Sequence, residues 1–261
     1  MTEVIRGNLY DYPRYYELIF GSDWKAEFDF LLACFEWFSP RPVQRVFEPA
    51  CGTGRLLYRL AQRGYEVAGN DLNPKAVAYC NRRFERHGLL PAATVGDMCD
   101  FRVKRKYDAA FNLINSFRHL PSEDHARRHL QCVANCLRNG GIYLLGLHLT
   151  PKGRPLCTEE SWSARRGHLA VTSHMQSLGL DRRARKERVK MTFDVYTPTR
   201  HIQLADEMDF RIYTAEQFQQ LLRDVGRFEV LETYDFTYDI DSPQPVNDKT
   251  EDVVFILQKR S

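Results

Sequence analysis

The segment Glu48-Pro49-Ala50-Cys51-Gly52-Thr53-Gly54-Arg55 constrains this chain more than any other. It follows a short apolar stretch, Val46-Phe47, and precedes a helix-like stretch over residues 55–63 that stops at Gly64. A turn with two glycines between a buried strand and a helix lets backbone approach a ligand closely, where a side chain would collide with it. A dinucleotide site asks for GxGxxG, whose third glycine packs the helix tightly and whose helix terminus faces a pyrophosphate. Here the third position is Leu57, and Glu48 stands four residues before Gly52. A carboxylate in that place disfavours a pyrophosphate and suits a cation.

The surrounding pattern alternates strand and helix. Residues 66–69, 92–95, 107–113 and 141–149 read as further strands of an α/β core. Asn73 caps a helix that opens on Pro74, and Ser122 caps another that runs to about residue 137 and ends at Asn139-Gly140-Gly141. Repeated units of this size imply a parallel sheet with helices on both faces. After Thr150 the period changes to two. Leu169, Val171 and Met175, then Val189, Met191, Phe193 and Val195, then Ile202, Leu204, Met208, Phe210 and Ile212 mark three antiparallel strands. Thr214 and Gln217 form a capping box, Gly226 ends that helix, and two strands close the chain. Trp24, Phe28, Leu31, Leu32 and Phe35 recur at helical spacing behind a cap at Ser22 or Asp23. The expected organisation is a helical lid over 1–40, a ligand-binding core over 41–150, an antiparallel β insertion over 151–212, and a helix with a β-hairpin over 213–261.

With these residues in view, the chain resembles the class I methyltransferases that use S-adenosylmethionine (SAM), whose first motif reads acidic-x-x-x-Gly-x-Gly. The resemblance implies a Rossmann-like fold with a mostly parallel seven-stranded sheet, and it implies SAM as methyl donor with S-adenosyl-L-homocysteine as product. On that basis Ala50, Gly52 and Gly54 line the methionyl part of SAM, and Glu48 acts at its ammonium group. Asp71, seventeen positions after Gly54, accepts from the ribose hydroxyls, and Leu72 packs on the adenine. Asp97 accepts from the adenine amino group, and Met98 covers the other ring face. Asn112 and Leu113 open the segment that borders the transferred methyl.

That segment, Asn112 to Leu120, lacks the Asn/Asp-Pro-Pro-Tyr of enzymes that methylate adenine or glutamine amides. It is similar to small-molecule methyltransferases, including those that methylate the nitrogen of amino sugars, and the insertion fits the same group as a roof over the substrate. His119 is the candidate general base, because a histidine takes up a proton near neutrality; it is equally a candidate orienting group. Tyr16, in Tyr16-Glu17-Leu18-Ile19-Phe20, matches an early tyrosine that covers SAM and approaches substrate, and Trp24 is a second lid candidate. Both also fit as core aromatics. Asp206 interrupts an apolar row, and either points into the pocket or marks a bulge or edge strand.

Composition bounds the alternatives. The 261 residues are 43% apolar and 27% charged, with a net charge of +3, which is ordinary for a globular chain and too small to imply nucleic acid. No apolar run reaches the ~20 residues of a membrane helix, and the amino terminus lacks a signal-peptide core. The seven cysteines, Cys34, Cys51, Cys80, Cys99, Cys132, Cys136 and Cys157, lack a CxxC pair, so neither a disulfide framework nor a metal site is expected. The expectation is a cytoplasmic enzyme, monomeric or homodimeric, acting on a small molecule without membrane or nucleic-acid partners. Two other readings stay open. The basic run from Arg182 to Lys190 fits an RNA or tRNA methyltransferase, and loss of catalysis would leave a SAM-binding regulatory protein.

Overall fold

The computed structural model describes residues 3–153 and 159–260, so Cys157 lies outside the described residues. In chain order the elements are β1 (Glu3–Arg6), α1 (Pro13–Phe20), α2 (Lys25–Phe38), β2 (Arg45–Pro49), α3 (Leu57–Gln62), β3 (Glu66–Asp71), α4 (Pro74–Arg86) and β4 (Ala93–Val95). They continue as β5 (Tyr107–Asn112), α5 (Glu123–Cys136), β6 (Leu137–His148), β7 (Glu159–Arg166), β8 (Leu169–Asp181), β9 (Lys186–Tyr196) and β10 (His201–Arg211). The chain closes with α6 (Ala215–Val225), β11 (Phe228–Tyr234) and β12 (Asp252–Lys259).

Seven strands form the core sheet in the order β11-β12-β6-β5-β2-β3-β4. β12 runs antiparallel to both neighbours, whereas β4, β3, β2, β5 and β6 are parallel. β2 and β5 are buried along their whole length, as parallel strands covered on both faces must be. One apolar layer, with Leu130, Val133, Phe218 and Phe255, packs α5 and α6 on one face. The other, with Phe28, Leu31, Leu57, Val77 and Phe84, packs α2, α3 and α4 on the opposite face. Local chemistry sets the helix ends. The Asn73 side chain accepts from the N–H groups of Lys75 and Ala76 at 2.8 and 3.2 Å, and Pro74 occupies the first turn. Thr214 and Gln217 form the reciprocal cap of α6, and Gly226 ends it at φ 64°.

The insertion is a second sheet, ordered β1-β10-β9-β8-β7. Its inner face, with Val171, Met191, Phe193, Val195 and Leu204, packs on Leu9, Leu18 and Ile19 of the amino-terminal segment. A buried ion pair between Arg118 and Glu187, 2.6 Å apart, ties it to the core. Arg185 and Arg211 reach across to Glu123, both within 2.9 Å.

Four local expectations differ from the structure. Residues 3–6 are a strand rather than helix, because their backbone completes the edge of β10 in parallel register. α2 has no side-chain cap; Ser22 bonds back to the Leu18 carbonyl instead. Asn139-Gly140-Gly141 lies inside β6 as a bulge, with Gly140 at φ 76°, since Leu137 already pairs with Tyr107 and Ile142 with Ala109. The insertion carries β7 as well, whose sequence EESWSARR is too polar to show a buried face.

Candidate active site

The loop after β2 alternates through left-handed backbone at Ala50 (φ 52°), Gly52 (φ 51°) and Gly54 (φ 65°). The two glycines serve different ends. A Cβ at Gly54 would stand 2.4 Å from Cys80 Sγ in α4, so glycine there lets helix and loop touch. A Cβ at Gly52 would have nothing nearer than Asp71 Oδ2 at 4.0 Å; its space is left to a ligand. The expected collision with a ligand therefore applies at Gly52 and not at Gly54. Asp71, at the end of β3, pins the loop: Oδ2 accepts from the Gly52 N–H and Oδ1 from the Asn73 N–H, each at 2.8 Å. Burial raises its carboxyl above the ordinary value, opposed by these two donors.

Against this loop lies a cavity of about 260 Å³ at the carboxyl ends of the core strands. Ala50, Gly52, Asp71, Leu72, Met98, Tyr16 and His119 line it, which brings together residues from five separate parts of the sequence. Leu72 stays 66% exposed there, an apolar side chain offered to a ring. Six expected residues do not line it: Glu48, Gly54 and Asn112, and also Trp24, Leu113 and Asp97. Trp24 lies outside this cavity, under the Arg59 guanidinium, 3.4 Å from its ring centre, because α2 carries it to the outer face of α3. Leu113 is core, packed behind β5 with the residues of α2 and α3. Asp97 turns back to accept the Cys99 N–H at 2.9 Å, and its neighbours Gly96 and Met98 face the cavity in its place.

Below the loop two acceptors are buried without a partner. Among the described residues Glu48 Oε2 and Asn112 Oδ1 make no hydrogen bond, although the Asn112 amide donates to the Pro49 carbonyl at 2.7 Å. Burial drives the Glu48 carboxyl well above its ordinary value, against the pull of Arg55. Arg55 Nη1 is a buried donor likewise without a partner. Orphaned buried polar atoms are costly unless a ligand completes them. An amino-acid end, ammonium plus carboxylate, supplies what all three atoms lack, so the residues present fit the methionyl portion of SAM.

Three side-chain ties hold the amino-terminal segment over the cavity. Asp206 Oδ2 accepts the Leu9 N–H at 3.1 Å, Asp11 binds Asn73 and Lys75, and Glu17 binds Thr53 and Arg83. Asp206 thus fastens the lid rather than facing a substrate. Tyr10, which the sequence reading passed over, sits at the centre: its hydroxyl is 2.8 Å from His119 Nε2 and its ring 5.4 Å from that of Tyr16. It belongs to a single 3-10 turn capped by Asn8, which a helical reading of residues 1–40 concealed. Burial, with help from the Arg118 charge, lowers His119 to about 4, and Phe210 packs 4.9 Å from its ring. The expected proton uptake near neutrality is therefore corrected; at pH 7 His119 is a neutral hydrogen-bonding group.

Residues 46–141 match the family model described as a methyltransferase domain. The chain is 27% identical over 147 residues to the dTDP-3-amino-3,4,6-trideoxy-alpha-D-glucopyranose N,N-dimethyltransferase of Streptomyces venezuelae, covering 56% of this chain and 58% of that protein. Its fold is that of a SAM-dependent methyltransferase from Clostridium acetobutylicum ATCC 824, with TM-score 0.78, 19% identity, and coverage of 97% and 100% of the two chains. The sugar N-methyltransferase KedS8 from Streptoalloteichus sp ATCC 53650 aligns with TM-score 0.73 and 22% identity, over 98% of this chain and 94% of that one. With the glycine loop, the strand order and the orphaned acceptors already fixed by the structure, the chain is an enzyme of the class I SAM-dependent methyltransferase type.

Proposed function

We propose that the enzyme methylates an amine on a small molecule, an amino sugar being the class its relatives support. The observation that carries this reading is the Tyr10–His119 pair at the enclosed end of the cavity. SAM supplies an activated methyl group, and transfer is an in-line displacement by the acceptor's lone pair. A hydroxyl acceptor needs a strong base beside it, which His119, lowered to about 4, is not. An amine that arrives as free base brings its own lone pair. It needs only orientation and exclusion of water, which Tyr10, Tyr16 and the lid provide. Glu48, Asn112 and Asp71 hold the donor, and Tyr10 and His119 direct the acceptor nitrogen. Enclosure by the lid and insertion favours a small acceptor over a polymer. The basic run is a poor RNA surface, because Arg185, Arg188 and Lys186 are engaged by Glu123, Glu207 and Asp209. We place the enzyme in the cytoplasm, which suits the six free cysteines among the described residues, acting as a monomer or homodimer.

Turnover of methyl-labelled SAM with a panel of 3-amino and 3-hydroxy sugar nucleotides tests the reading. Label is expected on amines only; transfer to the hydroxyl members alone would refute it. His119→Asn is expected to leave SAM affinity unchanged and to slow transfer about tenfold, the effect of one lost orienting hydrogen bond of roughly 1.4 kcal/mol. The rate–pH profile should show no histidine limb near pH 6.5, since the group stays neutral above about 4. A transfer rate equal to wild type would remove His119 from the mechanism.

A further inference from the structure

A cavity of about 780 Å³ is separate from the SAM site and lies on the other side of α1. Its walls are Tyr12, Arg14 and Tyr15 of the lid, Tyr58 and Arg59 of α3, Tyr79, Arg82, Arg83 and Arg86 of α4 with His87 beyond it, and Arg166 at the β7–β8 turn. Six arginines scattered from position 14 to position 166 thus converge in one cleft, while three residues of the conspicuous basic run, Arg185, Lys186 and Arg188, are paired with carboxylates. The single lining carboxylate, Glu17, is committed to Arg83 and Thr53. The side chains of Arg14, Arg82, Arg86 and Arg166 make no ion pair or hydrogen bond with any described residue, and Arg59 Nε is buried without an acceptor among them. Desolvation lowers Arg59, and the neighbouring Arg83 and Arg55 charges push it the same way. A concave site lined by one sign of charge focuses field and concentrates counter-ions. Flat rings accompany the charge: Tyr12 and Tyr15 are stacked within 12° of parallel, and Tyr58 and His87 within 16°.

From this convergence we propose that the cleft is a second ligand site, for a nucleoside triphosphate. Guanidinium forks suit phosphate oxygens, and tyrosine faces suit a base. Five arginines without a carboxylate partner match a triphosphate tail better than the smaller charge of a sugar-capped diphosphate. The volume suits one small molecule, and the enclosure by four elements is unlike the open stripe that tracks a nucleic-acid backbone.

The site also reports on the first one. Pro13 lines both cavities, and α1 turns Tyr16 to the SAM side and Tyr12 and Tyr15 to the cleft. A ligand bridging α1, α4 and the β7–β8 turn braces the lid in its closed position. By linkage, each ligand then tightens the other. The inference is independent of which acceptor is methylated.

The test is calorimetry of the whole chain saturated with S-adenosylhomocysteine, so that the adenosine subsite is filled, in magnesium-free buffer. ATP or GTP is expected to bind one per chain, at least about tenfold more tightly than tripolyphosphate, adenosine, UDP-glucose or a short single-stranded oligonucleotide. The double variant Arg82→Ala/Arg86→Ala alters exposed side chains without described partners, so its fold should persist. It should bind the triphosphate at least about tenfold more weakly, and charge reversal on the facing wall, Arg166→Glu, should do the same. ATP should tighten S-adenosylhomocysteine binding several-fold in the wild type and not in the double variant, whose affinity without ATP stays normal. No heat with ATP or GTP would overturn the proposal, as would UDP-glucose, tripolyphosphate or oligonucleotide binding as tightly as ATP. Unchanged ATP affinity in both variants would place the ligand elsewhere. Loss of S-adenosylhomocysteine binding itself would count against the first site, not this one.

Discussion

Glu48→Gln is expected to weaken SAM binding by about 3 kcal/mol, more than a hundredfold in Kd, while making the ligand-free protein more stable. Both effects come from one atom. Glu48 Oε2 is buried and bonded to nothing, so the ionised carboxylate costs free energy in the empty fold and repays it only when an ammonium arrives. The neutral amide removes that cost, and thermal unfolding of the ligand-free variant should shift up by about 2–4 °C for ~1 kcal/mol. The pH dependence follows from the direction of the shift. The folded protein holds the Glu48 proton more tightly than the unfolded chain, whose value is near 4.5. Its favourable contribution to stability is therefore complete below 4.5 and is lost as pH rises through the raised folded value. SAM binding runs the opposite way in the wild type, strengthening over that interval as the carboxylate ionises, and is flat in the variant. Titration calorimetry across pH measures both; equal SAM affinity in wild type and variant at every pH would show that Glu48 does not meet the ammonium.

Gly54→Ala should cost about 3–5 kcal/mol of folding stability, a third or more of what a typical domain has. Left-handed backbone at φ 65° strains any residue with a Cβ by roughly 1–3 kcal/mol. The new methyl would also stand 2.4 Å from Cys80 Sγ, and Cys80 has no exposed surface into which to retreat. Overpacking of that kind adds about 1–3 kcal/mol. The two causes separate by a second change. Gly54→Ala/Cys80→Ala should recover the packing part and leave the backbone part. Gly52→Ala should lose only the backbone part of stability, because its Cβ has 4.0 Å of clearance, yet it should bind SAM poorly. Urea unfolding of the four proteins decides this. A Gly54→Ala protein as stable as wild type would mean that the loop repacks freely.

The alternation of strand and helix over residues 46–149 was legible because periodicity, caps and glycines are local. Asn73, Ser122, Thr214 and Gly226 act at the helix ends where their chemistry puts them. The first site was legible in the same measure: Gly52, Asp71, Leu72 and Met98 face one cavity because each ends or follows a parallel strand, and such ends gather on one edge of the sheet. Errors arose where a residue's role depends on a distant partner. Residues 3–6 lack a strand signal of their own and become one only against β10. Trp24 has the composition of a lid residue, but the arginine that covers it stands thirty-five positions away in α3.

What the sequence determined by itself is the class of fold, the glycine loop and the sign of charge beneath it, since these follow from residue type and spacing along a single stretch. Tertiary structure decided which acceptors are left without partners, that Tyr10 meets His119 across 109 positions, and that Asp206 closes the lid across 197. It also decided which basic residues are neutralised and which converge on an unpaired cleft. The physical reason is the same in each case: desolvation and hydrogen-bond satisfaction depend on what the fold brings within a few ångströms, and no local pattern records that.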